Sequence, residues 1–580
     1  MKINGKLFAF GIWFLMAVPL FSQNLYLELN MNNQNVQSIM RSVRHTSNLE
    51  LFRVINRAAD DNRIKGIVLN ISSYYGEKET LWELRNALEN FKASGKKVCV
   101  FMSMADLDTY ALATVGDKIV MDNLGSLVMP GYTWGRGYVQ HSLEKLGVGV
   151  RELRYMEYKS AAETYTRDSL SDADRRQYSE ILDDIMTITR DTITNARSLT
   201  TDDFDSILND FIFSAGSALE RGLVDYTGRK DAVLEAIKEI SGGEKIESFV
   251  VYGNTDTSLT ESESTYSPGR AGGMFSRPPV IAVINASGVT DMEQGMAARN
   301  LAVTIMEVSE QKRVKAMVIR INSPGGSAEA ADYIAEAIKI ARRKIPVVVS
   351  MGGVAASGGY WAGMTANHVI ATPVTVTGSI GVIGSWFYDN GLNSKLGLTV
   401  DTIQRGNHAD LYTGIILPQR DMNQAEEARY RRYILDLYND FTLKVAVNRN
   451  MEIERVESLA QGRVYSGIGA FNSGLIDGIG GLDDALKIAK KLANIPEDSK
   501  VAYSEFPKPK FMDKMLERML SSQTFSRHGA AAQASAETAT LSFLSDLFLP
   551  APLLEDVRFR IANNGKAMPL LPLDSGRLSR

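Results

Sequence analysis

IPVVVSMGGVAASGGYWAGMTANHVIA, residues 345–371, is the stretch on which the fold turns. VVVSM at its start and HVIA near its end are apolar and rich in β-branched residues, so both read as strands. GGYWAG between them reads as a short helix. Strand, helix and strand without polar alternation make a βαβ unit whose parallel strands are buried on both faces. One hydroxyl, Ser357, stands in the most glycine-rich part. Residues with almost no side chain let a backbone approach another backbone or a ligand closely. On this stretch alone, tight helix packing explains them equally well.

Working outward, VIAVINA (280–286) and AMVIRIN (316–322) read as further strands and SAEAADYIAEAIKIARR (327–343) as a helix. The chain then proves to repeat itself. RIKGIVLNISS (63–73) lies over RVKAMVIRINS (313–323) at a separation of 250 residues. At the same separation, KKVCVFMSMADLDTYALATVGDKIVM (96–121) lies over the opening stretch and LEKLGVGV (143–150) over NSKLGLTV (393–400). FSAGSALERGLVD (213–225) resembles YSGIGAFNSGLID (465–477), now 252 apart. One spacing held over so many segments marks a tandem duplication. A long amphipathic helix is expected over 421–450, with Ile434, Leu437, Tyr438, Phe441 and Val445 on its apolar face. GNTDTSLTESESTYSPGRAGG (253–273) has the composition of a linker. The expected layout is a signal peptide or anchor over 1–23, a first half over 24–242, a linker over 243–277, a second half over 278–504 and a tail over 505–580.

The totals exclude some functions. With 64 basic and 68 acidic residues the net charge is −4, which is no footprint for nucleic acid. The five histidines show no HxxH or HExxH spacing, so neither a metal site nor a cofactor is expected. The lone cysteine, Cys99, cannot form an internal disulfide and reads as a buried strand thiol. Lys2 and Lys6 precede the apolar run from Leu7 to Phe21, which has the charge and length of an export signal. It is short for a spanning helix, which needs about 20 apolar residues, so cleaved signal and retained anchor both stay open.

The two halves differ where chemistry would sit. Position 357 minus 250 is Leu107, followed by Asp108 and Thr109, so the first half lacks the serine and its Gly-Gly. INSPGGSAEA (321–330) brings a strand into Gly325, Gly326 and a helix start, where bare N–H groups suit a developing negative charge. The first-half equivalent, ISSYYGEKE, lacks Pro-Gly-Gly. A serine needs a base, and no histidine sits in a supporting motif. A lysine serves if its surroundings favour the neutral amine. RYMEYKSAAETY (154–165) offers Lys159 among small residues, and the second half has Ala409 at the matching position. One half holds the candidate nucleophile and the other the candidate base.

SPGGS, the SMGGVAASGGYWAG block, TGSIGV (377–382) and the YKSA segment together resemble the SppA-type signal peptide peptidases (protease IV) in their long, duplicated form. The resemblance spans roughly residues 50–500. It implies an α/β fold, a tandem duplication of crotonase/ClpP-like domains, with Ser357 as nucleophile and Lys159 as general base of a Ser/Lys dyad. Gly325 and Gly326 fall in the family's oxyanion segment, and Gly358 counts with them as an oxyanion or substrate-binding residue. The resemblance further implies signal peptides and other apolar peptides as substrates, and membrane association. It also implies a homotetramer at the bacterial inner membrane, its catalytic part facing the periplasm. Ser379 in TGSIGV is either a turn serine or a hydroxyl that orients Lys159.

Three other readings compete. A crotonase-like acyl-CoA enzyme would use oxyanion N–H groups without a nucleophile, but acyl-CoA chemistry does not suit an exported chain. A catalytically inactive, membrane-associated scaffold of the same fold would be free to lose Ser357 or Lys159, and both are present. A type I signal peptidase shares Ser/Lys chemistry but needs an all-β catalytic unit, which the βαβ patterns do not supply.

Overall fold

A computed structural model describes residues 24–31, 48–72, 74–244, 246, 248–252 and 278–507, together with the backbone of 567–568. The apolar segment at 1–23 and most of the expected linker and tail lie outside the described residues. Two parallel sheets dominate. In the first, the strands run in the order Ile212–Ser214, Lys118–Val128, Lys97–Asp106, Ile64–Asn70, Leu25–Asn30, Ser248–Tyr252. In the second the order is Val464–Ser466, Val376–Gly378, Val347–Ala356, Val314–Ser323, Val280–Ser287, Ala502–Phe506. The first-named strand of each is the antiparallel one. The duplication seen in sequence is therefore a duplication of topology.

The apolar strand runs are continuous because each strand serves two cores. In Val314–Ser323, Ala316 and Val318 point into one cluster, while Met317, Ile319 and Ile321 point into the other. The adjacent strand repeats this, with Ile281 and Val283 on one side and Ala282, Ile284 and Ala286 on the other. Burying each such aliphatic side chain contributes roughly 1.5–3 kcal/mol. One face packs on its own half's helices Ala298–Ser309 and Ala328–Ala341. The other shares a core with Leu482–Leu492 and the first-half helices Leu49–Asp60 and Lys78–Ala93. The halves are thus stacked on one continuous core. A buried ion pair crosses the seam: Glu83 meets Arg320 at 2.7 Å and accepts Leu482 N–H at 2.8 Å. Cys99 is a buried strand residue, as its sequence context indicates.

Three features differ from the sequence reading. Ser248–Tyr252 pairs with Leu25–Asn30, so the first sheet extends past residue 242 into the expected linker; the apolar FVVY completes an edge. Ala502–Phe506 likewise straddles the boundary at 504. Finally, Val148–Leu153 and Ile383–Asp389 form an antiparallel ladder between the halves, to which Ala567–Met568 adds. The LEKLGVGV/NSKLGLTV likeness carries structure only as far as its glycine: both copies form a short helix followed by a left-handed glycine, Gly147 and Gly397, and then diverge. Residues 148–153 are a strand, whereas 398–403 are irregular and pair with no strand among the described residues. The expected long helix runs Gln424–Arg449, buries Ile434, Tyr438, Phe441 and Val445, and leaves Leu437 half-buried. Its counterpart, Asp172–Arg197, has the same length and a serine N-cap, Ser171, where the later helix has Asn423.

Candidate active site

Ser357 sits between strand Val347–Ala356 and helix Gly358–Gly363, at φ 57° and ψ −114°. A sharp strand-to-helix turn of this kind lifts a side chain out of the regular ladder. A serine at a helix start ordinarily caps the helix, but Ser357 makes no capping bond. In the first half the matching helix starts one residue earlier in the repeat and is capped conventionally: the Asp106 side chain accepts Thr109 N–H. The surrounding glycines are required by close approach. A Cβ on Gly359 would lie 2.7 Å from the Ser323 carbonyl oxygen, and one on Gly358 would lie 3.1 Å from Gly326 N. Tight packing and a reserved hydroxyl are therefore both present.

Lys159 comes from the irregular loop that follows the inter-half strand Val148–Leu153. Its Nζ lies 2.5 Å from Ser357 Oγ, 2.9 Å from Ser379 O and 2.9 Å from Ser379 Oγ. All three residues are buried. Lys159 can approach because Gly462 and Gly381 have no side chains: a Cβ on Gly462 would stand 2.6 Å from Lys159 Cβ, and one on Gly381 would stand 3.3 Å from Lys159 Cδ. Ser379 is both a turn residue, at φ 52°, and a direct neighbour of the amine. The two readings of it were not exclusive.

Gly325 and Gly326 adopt φ of 104° and 155° beside the start of the serine helix. The Gly325 N–H donates to Ser323 Oγ at 3.2 Å. The bridge between Thr290 and this turn uses the Gly325 carbonyl and the Ser327 N–H, so the Gly326 N–H lies outside it. Gly358, as the first residue of a helix, has no intrahelical acceptor for its own N–H. Gly326 and Gly358 thus lie side by side at the turn that carries Ser357, a Cβ on Gly358 standing 3.1 Å from Gly326 N, while the Gly325 N–H is turned to Ser323. Among the described residues, no group of three or more His, Cys, Asp and Glu is placed to hold a metal ion.

Sequence reasoning missed the residues around the lysine loop. Arg136 and Asp174 form a fully buried pair at 2.9 Å, and Ser160 Oγ donates to Asp174 at 2.5 Å. Arg154 pairs with buried Glu163 at 2.8 Å. The missed signal was the charge density of this loop's surroundings. A run of small residues holding one lysine needs polar partners, and these come from as far as 24 residues upstream of Ser160 (Arg136) and 14 residues downstream (Asp174).

The geometry has its parallels in known proteins. The pattern of Peptidase family S49 matches residues 90–242 and 339–496, together more than half of the chain, and that of Clp protease matches 287–376. "Serine protease SPPA, chloroplastic" of Arabidopsis thaliana is 32% identical over 464 residues, 78% of this chain and 67% of that protein. "Protease 4" of Salmonella typhi is 31% identical over 498 residues, 83% of this chain and 77% of that protein. "Putative signal peptide peptidase SppA" of Enterococcus faecium is 35% identical over 225 residues, 39% of this chain and 64% of that protein. With its duplicated ClpP/crotonase-like sheets and its serine turn, this chain belongs to peptidase family S49, as a homologue of the SppA/protease IV serine proteases.

Proposed function

We propose that the protein is a Ser/Lys-dyad endopeptidase that cleaves apolar peptides, residual signal peptides among them, at a membrane surface. The observation that carries this reading is the 2.5 Å approach of Lys159 Nζ to Ser357 Oγ inside a buried site. Burial disfavours an ammonium relative to a neutral amine. A neutral amine has two N–H groups and one lone pair. The oxygens of Ser379 suit the two N–H groups, which aims the lone pair at the Ser357 hydroxyl.

The steps follow from this arrangement. Lys159 takes the Ser357 proton as Oγ attacks the peptide carbonyl, and the N–H groups of Gly326 and Gly358 hold the oxyanion. Lys159 then returns that proton to the leaving amine. Water, deprotonated by the same lysine, attacks the acyl-enzyme, and the lysine returns that proton to Ser357 Oγ as the acyl–oxygen bond breaks and the second product leaves. The membrane setting is supported by the basic, apolar N-terminal stretch, and the signal-peptide substrate by the name of the Enterococcus relative. Among the described residues no helix is long and apolar enough to cross a membrane. The assembly we propose is a head-to-tail association of copies, in which each half meets its opposite; four copies is the number the family resemblance implies.

The test is hydrolysis of a fluorogenic apolar peptide ester by the wild type, Ser357→Ala and Lys159→Ala. Both variants are expected to stay folded and to lose at least about 100-fold in kcat, the scale of positioned acid–base catalysis. Loss in Ser357→Ala alone would place the base elsewhere. A folded wild type inactive on all such esters would favour the scaffold.

A further inference from the structure

Three consecutive backbone carbonyls of the lysine loop are each held by a side chain from a different place. Tyr158 O accepts from Gln177 Nε2 at 3.2 Å, Lys159 O from an Arg154 guanidinium nitrogen at 2.9 Å, and Ser160 O from Arg136 at 2.6 Å. Surface loops usually leave such carbonyls to water. Gln177 does more than close one bond. It is buried, donates also to Asp174 Oδ1 at 2.8 Å, and its Oε1 accepts Val464 N–H from the second half at 3.1 Å. Val464 directly follows Gly462, which packs on the Lys159 backbone, and Arg463, whose carbonyl accepts Ser379 N–H at 2.6 Å. One amide therefore touches the lysine loop of the first half and the segment that supports Ser379 in the second.

A lysine side chain has four rotatable bonds, so its amine stays on target only if its backbone is fixed. Resting on the dyad reading above, we propose that Gln177, with Arg154 and Arg136, is a positioning residue that fixes the Lys159 amine against Ser357. Each of these contacts is made to backbone or to another side chain of the same network. The clamp acts on the chemical step and not on binding, so it governs kcat and leaves KM alone. A misplacement of about 1 Å is enough for an effect of up to about 100-fold.

The test uses the full-length protein and the fluorogenic ester, with active sites counted by fluorophosphonate titration so that rates refer to folded sites. Gln177→Met keeps the volume, removes every hydrogen bond of the amide and leaves no buried charge unpaired. Its kcat per titrated site is expected to fall about 10- to 100-fold, with KM within about twofold and the fluorophosphonate labelling rate falling in step. Should Gln177→Met not fold, Arg154→Met and Arg154→Lys replace it. The lysine keeps a donor for the Lys159 carbonyl and is expected to recover part of the kcat that methionine loses. Wild-type kcat per site in Gln177→Met, or equal kcat in both Arg154 variants, overturns the proposal while an inactive Lys159→Ala leaves the dyad standing. Full activity in Lys159→Ala overturns both.

Discussion

At the scale of single residues, the chain places two costly groups where the halves meet. Ser357 holds a positive φ that costs a non-glycine residue on the order of 1–3 kcal/mol, and its neighbours over-determine the turn. Glu79 is the second. Its carboxyl lies against Gly353, so close that a Cβ there would be 2.9 Å from Oε2. Burial pushes its pKa up to about 7, with nearby Arg320 opposing the rise and Glu83 and Glu77 adding to it. A carboxyl whose folded pKa is raised binds a proton more tightly folded than unfolded. Its contribution is most favourable below the unfolded value of 4.5 and is lost as pH rises towards 7. Glu79→Gln mimics the protonated form. The variant is expected to match the wild type in unfolding free energy, read from denaturant melts, at pH 4.5 and to exceed it at pH 8 by an amount of order 2–4 kcal/mol. A constant difference between the two pH values would mean that Glu79 does not titrate in this window.

At the scale of elements, the site consists of loops that touch through glycines. Gly462 has φ 77°, and a Cβ there would strike Lys159 N at 2.7 Å and Cα at 2.8 Å, both backbone atoms that cannot move aside cheaply. Gly462→Ala is expected to displace the lysine loop and lower kcat about 100-fold. Gly135→Ala, whose Cβ would meet nothing within 4 Å, is expected to keep wild-type rates. Equal rates in both would remove the close approach from the mechanism. Much of this level was legible in the sequence. Two-sided burial makes strands such as VVVSM read as continuous apolar runs, and close packing makes AASGG stand out. The loss of serine in one half and lysine in the other was legible as well. The ladder between Val148–Leu153 and Ile383–Asp389 was not, because each strand exists only where the other half supplies its partner. Nor was the Arg136, Arg154 and Gln177 clamp, whose members share no spacing and converge only in three dimensions.

At the scale of the whole molecule, duplication leaves two surfaces whose equivalents are already buried inside the chain. The first-half helix Asp172–Arg197 packs Tyr178, Ile181 and Ile185 against Ala356, Val374, Val376 and Val464 of the second half. Moved by the repeat, three of these residues have equivalents that face solvent. Val374 (9% exposed) becomes Leu124 (89%), Val464 (2%) becomes Ile212 (55%), and Ile181 (3%) becomes Tyr433 (52%). Leu486, buried where the halves stack, likewise becomes exposed Leu234. Residues 398–403, irregular and exposed, occupy the place of the inter-half strand, and 133–139 occupy the place of its partner. A second copy whose first half docks on the second half of its neighbour would repeat the internal interface and bury all of these at once. Because that contact is heterologous, it closes into a ring or runs on as a filament. Leu124→Glu with Ile212→Arg puts two charges into the proposed seam without touching the Ser357 site. Sedimentation is expected to show a closed multiple of the 63.9 kDa chain for the wild type and a folded single chain for the double variant. A wild type that is already monomeric at micromolar concentration, or a double variant of unchanged mass, would leave these apolar faces for something other than self-association.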